Sequence, residues 1–208
     1  MKRNNIRIAV QKEGRLKIPS LEYLESLGLQ FSKENGRILI VSCKNADAEI
    51  LYVRHRDIPQ YIQSGAADFA VVGGDILYEN NFKIRKVKKL NFGECGLVIA
   101  IPVVSPIKKI EELNGERIAT SYPNSLRKFL KKQKINAVII EIRGSVEVAP
   151  ALGLADAICD LTQTGNSLQE NALKPIATVF NSTAVFIESP FERGQKSEFA
   201  NKFLTATL

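Results

Sequence analysis

Two carboxylates and a run of hydroxyl and amide groups share one stretch of the chain: Glu147, Asp160, and then Thr162, Thr164, Gly165, Asn166 and Ser167. Asp160 sits in an apolar run of strand type, Ala157 to Leu161, and the turn after Thr162 opens onto a segment of helical pattern. A helix start offers unpaired N–H groups and the positive end of its dipole, both of which suit an anion. The hydroxyls can donate to phosphate oxygens, and Gly165 lets the backbone come close. Carboxylates do the opposite work: they accept hydrogen bonds from a sugar's hydroxyls, or hold a magnesium ion bound to a pyrophosphate. The set is therefore a candidate site for a phosphorylated sugar. Taken singly, the same residues read as an ordinary helix N-cap at Thr164 and a turn capped by Asp160.

Such a loop must be carried by a strand that ends at it, and strand-then-helix alternation runs through the chain. Ile6 to Val10 reads as a strand ending in the polar loop Gln11-Lys12-Glu13-Gly14-Arg15, where Lys12 and Arg15 are either anion contacts or members of a solvated turn. Leu21, Leu24 and Leu27 predict a helix over Pro19 to Leu27 stopped by Gly28, followed by strands at Arg37 to Ser42 and Ala48 to Val53. Asp57-Ile58-Pro59 opens a further helix with an Asp cap, and the apolar strand Phe69 to Val72 stops at Gly73-Gly74-Asp75. Strands at Ile84 to Leu90 and Gly96 to Pro102 lead to a helix at Ile107 to Leu113. The pattern then restarts: strands at Arg117 to Thr120, Asn136 to Ile142 and Asp156 to Leu161 alternate with helices at Asn124 to Lys132 and Val146 to Leu152. Ile176 to Glu188 is β-rich, and Phe191 to Leu208 reads as a terminal helix. These elements predict an α/β fold of two lobes with mixed or parallel sheets and helices on both faces, residues 1–93 plus 180–208 in one and 94–179 in the other.

Of 208 residues, 45% are hydrophobic and 25% charged, the balance of a globular chain rather than a disordered one. The net charge of +7 is spread in short clusters such as Lys131-Lys132, and without tryptophan for base stacking it argues for a polyanionic small substrate over nucleic acid. Cys43, Cys95 and Cys159 stand singly and read as buried thiols of a reducing compartment. The single histidine, His55, argues against a multi-histidine metal site. Met1-Lys2-Arg3 passes into a strand with no apolar run of signal-peptide length, and no segment reads as a membrane span, so a cytoplasmic protein is expected.

The stretch Gly144-Ser145-Val146-Glu147-Val148-Ala149-Pro150 through Leu168 resembles the signature of the ATP phosphoribosyltransferases, the first enzymes of histidine biosynthesis. Ile8 to Leu16, Arg54-His55-Arg56-Asp57-Ile58-Pro59, Phe92-Gly93-Glu94-Cys95 and Arg117 to Pro123 follow in the family's order, so that the resemblance runs from about Ile6 to about Leu204. It implies two lobes like those of type II periplasmic binding proteins with the active site in the cleft between them, and transfer of a phosphoribosyl group from phosphoribosyl pyrophosphate to N1 of ATP. It assigns Thr162, Thr164, Gly165, Asn166 and Ser167 to the 5-phosphate, and Glu147 and Asp160 to the ribose. Arg15 and Arg37 are implied in catalysis on the departing pyrophosphate, and Lys12, Gly73, Gly74 and Asp75 in contacts to ATP. Magnesium is implied as cofactor, held by substrate phosphates rather than by a protein metal site. The departures are Gln11 and Glu13 where many members read Pro-Lys-Gly-Arg, the basic Arg54, His55 and Arg56 where relatives carry acidic residues, and Ser167 in place of a threonine. Long members continue into a further domain that binds histidine, whereas this sequence resembles the short form, which implies an oligomer and a regulatory subunit similar to histidyl-tRNA synthetase. Its motifs also occur in long members, so a piece of a longer protein fits as well. Two rival readings use the same layout: a non-catalytic two-lobed sensor of a phosphorylated small molecule, and a phosphate-sugar enzyme of another pathway.

Overall fold

A computed structural model describes residues 5–32, 37–80, 82, 84–191 and 194–203. The chain forms two compact units: residues 1–77, 81–93 and 183–208 make unit 1, and residues 78–80 and 94–182 make unit 2. In order the elements are β1 (Ile6–Gln11), α1 (Lys17–Ser26), β2 (Ile40–Ser42), β3 (Ala48–Val53), α2 (Ile58–Gln63), β4 (Phe69–Gly73), α3 (Gly74–Glu79) and β5 (Arg85–Lys89). There follow β6 (Cys95–Pro102), β7 (Arg117–Thr120), α4 (Pro123–Gln133), β8 (Val138–Glu141), β9 (Ala157–Thr162), α5 (Asn166–Glu170), β10 (Leu173–Ser182), β11 (Ala184–Glu188) and α6 (Gly194–Phe203), with 3-10 turns at Ile110–Leu113 and Val146–Val148.

Unit 1 is built on a sheet of order β2-β3-β1-β4-β11-β5. Its centre is parallel, β1 lying between β3 and β4, while β2, β11 and β5 run antiparallel to their neighbours. Parallel strands are covered on both faces, so they carry apolar side chains at nearly every position. Ile8, Val10, Ile50, Tyr52, Phe69 and Val71 face one core with Leu21 and Leu24 of α1, Phe186 of β11 and Phe199 and Phe203 of α6. Phe69 and Phe186 stack there, centroids 5.5 Å apart. On the other face Ile58 and Ile62 of α2 are fully buried, and α2 lies against β1 and β4.

Unit 2 has a sheet of order β10-β6-β9-β7-β8. β7 is parallel to β8 and β9, and β6 is antiparallel to β9 and β10. Val98, Ala100, Ala119 and Ile158 of the sheet form a core with Val146, Ala149, Leu168 and Leu173. β10 bulges between Pro175 and Ala177, and it lies at the sheet edge, where a residue without an N–H is tolerated. α4 begins at Pro123 and ends at Lys134 in the left-handed conformation, φ 59°, after Lys131 and Lys132 in its last turn, which suit the negative end of the dipole.

Several expected elements are shorter than read. The helix expected at Ile107 to Leu113 is only a 3-10 turn, because Lys109 is extended (φ −132°, ψ 156°) and the Glu112 carboxylate accepts the Lys108 N–H at 2.7 Å, fixing the start there. The helix expected at Val146 to Leu152 stops after Val148: Pro150 has no N–H to return to Val146, and Gly153 (φ +69°) turns the chain. Asp57 occupies the N-cap of α2, but its side chain makes no capping bond. The β-rich run Ile176 to Glu188 is two strands in different units, β10 and β11, with Thr183 between them. Cys43, expected buried, is half-exposed, while Cys95 and Cys159 are buried. The end of the expected terminal helix, residues 204–208, and the start at Met1 lie outside the described residues.

Candidate active site

In each unit the parallel strands end at a common rim, and loops leaving that rim carry the candidate residues. In unit 2 the strands are β7, β8 and β9. Residues 142–147 leave β8, and residues 163–165 leave β9 and start α5. Val146 and Leu168 are buried in the same core, which anchors the two loops to one body and sets Glu147 and the turn at Thr164 beside the same strand ends. Glu147 and Asp160 are half-buried, Thr162 and Gly165 likewise, and Thr164, Asn166 and Ser167 are exposed.

The turn is made locally. Gly165 is the N-cap of α5 at φ +82°, a conformation that costs a residue with a Cβ roughly 1–2 kcal/mol, and its N–H donates to Thr162 Oγ1 at 3.0 Å. With the N-cap occupied by glycine, no side chain competes for the first N–H groups of α5. One oxygen of Asp160 accepts the N–H of Leu161 at 2.8 Å. The strand behind is fastened by Thr120, whose hydroxyl donates to the Cys159 carbonyl at 2.6 Å and accepts the Tyr122 N–H at 2.9 Å. Burial pushes the Cys159 thiol far above its ordinary value, so it is a packing residue and no nucleophile.

In unit 1 the rim is formed by β3, β1 and β4. Gln11 pairs with Val53, and the Lys12 N–H donates to the Val53 carbonyl at 2.8 Å, so residues 12–15 and 54–57 leave side by side. β2 runs the other way, Ile40 opposite Leu51 and the Tyr52 N–H on the Leu39 carbonyl, and this brings Arg37, exposed, to the same end of the sheet. Gly73 closes β4 and Gly74 begins α3.

Arg15 is the most constrained of these groups. Its Nη2 donates to Asp75 Oδ1 at 2.9 Å and its Nη1 to the Gly93 carbonyl at 2.5 Å. The Arg15 side chain keeps 25% exposure and that of Asp75 only 2%. His55 lies in the same field: burial, then the Arg56 charge, lower its pKa, with Arg15 adding to the fall and Asp75 and Asp57 opposing it. It is therefore neutral at neutral pH. Lys12 is half-buried with its Nζ 3.9 Å from Glu13.

The ATP phosphoribosyltransferase (HisG) family model matches residues 54–206. The sequence is 40% identical over 199 residues to an ATP phosphoribosyltransferase of Cytophaga hutchinsonii, covering 96% of this chain and 69% of that one. The chain belongs to the ATP phosphoribosyltransferase family. It is an enzyme of phosphoribosyl transfer, at the first step of histidine biosynthesis. A solved chain of the ATP phosphoribosyl transferase (HisG:HisZ) complex from Thermotoga maritima matches with TM-score 0.78 and 29% identity, across 96% of this chain and 97% of that one. The alkanesulfonate-binding protein SsuA from Xanthomonas axonopodis aligns over 99% of this chain and 70% of its own at TM-score 0.60 and 15% identity, a likeness of fold alone.

Two features of this phosphoribosyltransferase lay beyond sequence reading. Gln11, where many members carry proline, is a brace: its amide donates to the Glu13 carbonyl and accepts the Leu16 N–H at 3.3 Å, spanning the turn that presents Arg15. Glu79, buried, accepts the N–H groups of Asn124 and Ser125 at 2.8 Å each and so caps α4 in place of Tyr122, which makes no side-chain capping bond. The only local hint of the second was a helix opening on Tyr-Pro with no capping side chain of its own.

Proposed function

We propose that this chain is the catalytic subunit of a short-form ATP phosphoribosyltransferase, in which the rim of unit 2 holds phosphoribosyl pyrophosphate. The observation that carries the reading is the loop after β9, where a glycine-capped helix start and exposed Thr164, Asn166 and Ser167 adjoin the half-buried carboxylates of Asp160 and Glu147. The 5-phosphate accepts hydrogen bonds from the hydroxyls of Thr162, Thr164 and Ser167, from Asn166 and from backbone N–H groups at Gly165 and beyond. Glu147 and Asp160 accept from the ribose hydroxyls and orient the ring.

In the reaction the bond from ribose C1 to the pyrophosphate oxygen breaks with its electron pair leaving on pyrophosphate, and ATP N1 forms the new bond to C1. Charge builds on the leaving group, and Arg15 and Arg37 stabilise it. Lys12 and the backbone at Gly73 and Gly74 are assigned to ATP; Asp75, its carboxylate engaged by Arg15, is left out of that set. Among the described residues no group of three or more His, Cys, Asp or Glu could hold a metal ion. Magnesium is assigned to the substrate phosphates, since it keeps several of its waters and needs few protein ligands. Bound there, the ion would neutralise charge on the pyrophosphate.

A regulatory subunit of the HisZ kind, a homo-oligomeric state and a cytoplasmic location complete the proposal. The matching Thermotoga maritima chain comes from a HisG:HisZ complex, which supports the first, and among the described residues no helix is long and apolar enough to cross a membrane. The test is product absorbance with ATP, phosphoribosyl pyrophosphate and magnesium, for the chain and for Arg15→Ala. Turnover that falls at least 100-fold in Arg15→Ala, in a variant that melts at a lower temperature but is still folded under the assay conditions, is expected. Tight binding of phosphoribosyl pyrophosphate with no turnover, alone or with the regulatory subunit, would favour the sensor reading; near-normal turnover by the variant would remove Arg15 from the mechanism.

A further inference from the structure

We propose that Asp75, with the Gly93 carbonyl, is the positioning element of Arg15, and that Asp75 serves the reaction through that arginine and not by touching ATP. The inference rests on the assignment of Arg15 to the departing pyrophosphate. A carboxylate with 2% exposure has given up its water and is tolerated only when charge-paired and hydrogen-bonded. Asp75 is paired at 2.9 Å with Nη2 of Arg15, while Nη1 of the same guanidinium reaches the Gly93 carbonyl at 2.5 Å. One planar fork is thus pinned at both prongs by groups 60 and 78 residues away in sequence. Two of its five N–H groups are used, and the side chain keeps an exposed quarter toward which the rest can donate.

The two glycines show that this space is reserved. A Cβ on Gly73 would overlap the Asp75 carboxylate and stand 3.3 Å from Nη2 of Arg15. A Cβ on Gly93, where φ is +68°, would overlap Leu16 and stand 3.2 Å from Nη1. A side chain at Gly73 would therefore displace the Asp75 carboxylate and one at Gly93 the Leu16 side chain, and each would crowd a prong of the guanidinium. Gln11 fixes the loop from the other side through its bonds to Glu13 and Leu16. A long arginine side chain is otherwise flexible, and holding it before substrate arrives removes that ordering from the barrier. With one oxygen on Arg15 and almost no exposed surface, the Asp75 carboxylate is poorly placed to meet a nucleotide, whatever the strand-Gly-Gly-Asp order suggests from sequence.

The experiment is a double-mutant cycle of Arg15→Ala and Asp75→Asn, with kcat and both KM values measured under saturating second substrate and folding followed by thermal melting. Asp75→Asn is expected to lower kcat at least tenfold with KM for ATP within twofold of wild type, and to change kcat less than twofold when Arg15 is already alanine. If Asp75→Asn instead raises KM for ATP at unchanged kcat, or costs Arg15→Ala the same factor it costs the wild type, the proposal is overturned. If Arg15→Ala keeps wild-type turnover, the reading of Arg15 fails first, a result distinguishable from additivity. Should Asp75→Asn not fold, Gly93→Ala carries the same cycle, since its Cβ bears on the other prong; a loss of kcat that survives without Arg15 would again overturn the proposal.

Discussion

Arg117 and Asp156 show what a single pair contributes here. Nε and Nη2 of Arg117 donate to the two oxygens of Asp156 at 2.9 and 2.8 Å, and the Arg117 backbone N–H adds a third bond at 2.9 Å. These bonds hold the start of β9 against β7, upstream of Asp160. Hydrogen bonds from Arg117 pull the Asp156 carboxyl down from 3.8 to about 2. The sign follows from linkage: a carboxyl depressed in the folded state stabilises it above its unfolded pKa, and that contribution is lost as pH falls from about 4 to about 2. Thermal melting between pH 5 and pH 2 should show the loss, and Asp156→Asn should be less stable at pH 5 but lose less over that interval. At this scale the local geometry of the 147–168 stretch was legible, because a strand, a glycine turn and a helix start follow one another at short spacing. The bonding of Asp75 was not, since its partner Arg15 lies 60 residues away.

Among the elements, α6 depends on one buried cation. Lys196, 1% exposed, donates to Glu188 Oε1 at 2.7 Å and to the carbonyls of Ser189 at 2.5 Å and Phe191 at 3.1 Å, with its ammonium 5.8 Å from the Phe69 ring. It thereby ties the helix to the end of β11, and Phe199 and Phe203 follow into the unit 1 core. Lys196→Met should destabilise the fold by about 3–5 kcal/mol in denaturant titration, because a carboxylate and two carbonyls lose the bonds of the buried ammonium. Pairing it with Glu188→Gln should restore part of the loss; full additivity would mean the two side chains act separately. The helices and strands with strong apolar periodicity were readable from sequence. The two 3-10 turns were not, because a few apolar residues at helical spacing look alike whether or not Pro150, or an extended Lys109, interrupts the hydrogen-bond ladder.

For the whole molecule, the chain passes between its units at residues 93/94 and 182/183, and residues 78–80 make a separate excursion into unit 2. In unit 1 the residues nearest those crossings are fastened from within: Thr183 Oγ1 lies 2.8 Å from the Leu90 carbonyl and 2.6 Å from that of Phe92, and Gly93 accepts from Arg15. Regulation belongs to this scale. The proposed short form carries its histidine response on a partner, so turnover of the isolated chain should be unaffected by histidine, and inhibition should appear when a HisZ-type subunit is added and co-elutes with it. Inhibition of the chain alone would place an effector site within these 208 residues.

What the sequence by itself determined was the class of fold and the family, both written in local terms: apolar runs with period two or near four, turn residues between them, and a signature stretch whose parts adjoin. What only the tertiary structure decided was which of those residues are spoken for. Glu79 caps a helix 45 residues on, Gln11 braces a turn, and Asp75 belongs to Arg15. Local pattern follows from backbone geometry and solvent, which neighbouring residues share. Pairing of a buried charge follows from which distant strand ends the sheet brings to one rim, and that depends on the whole topology at once.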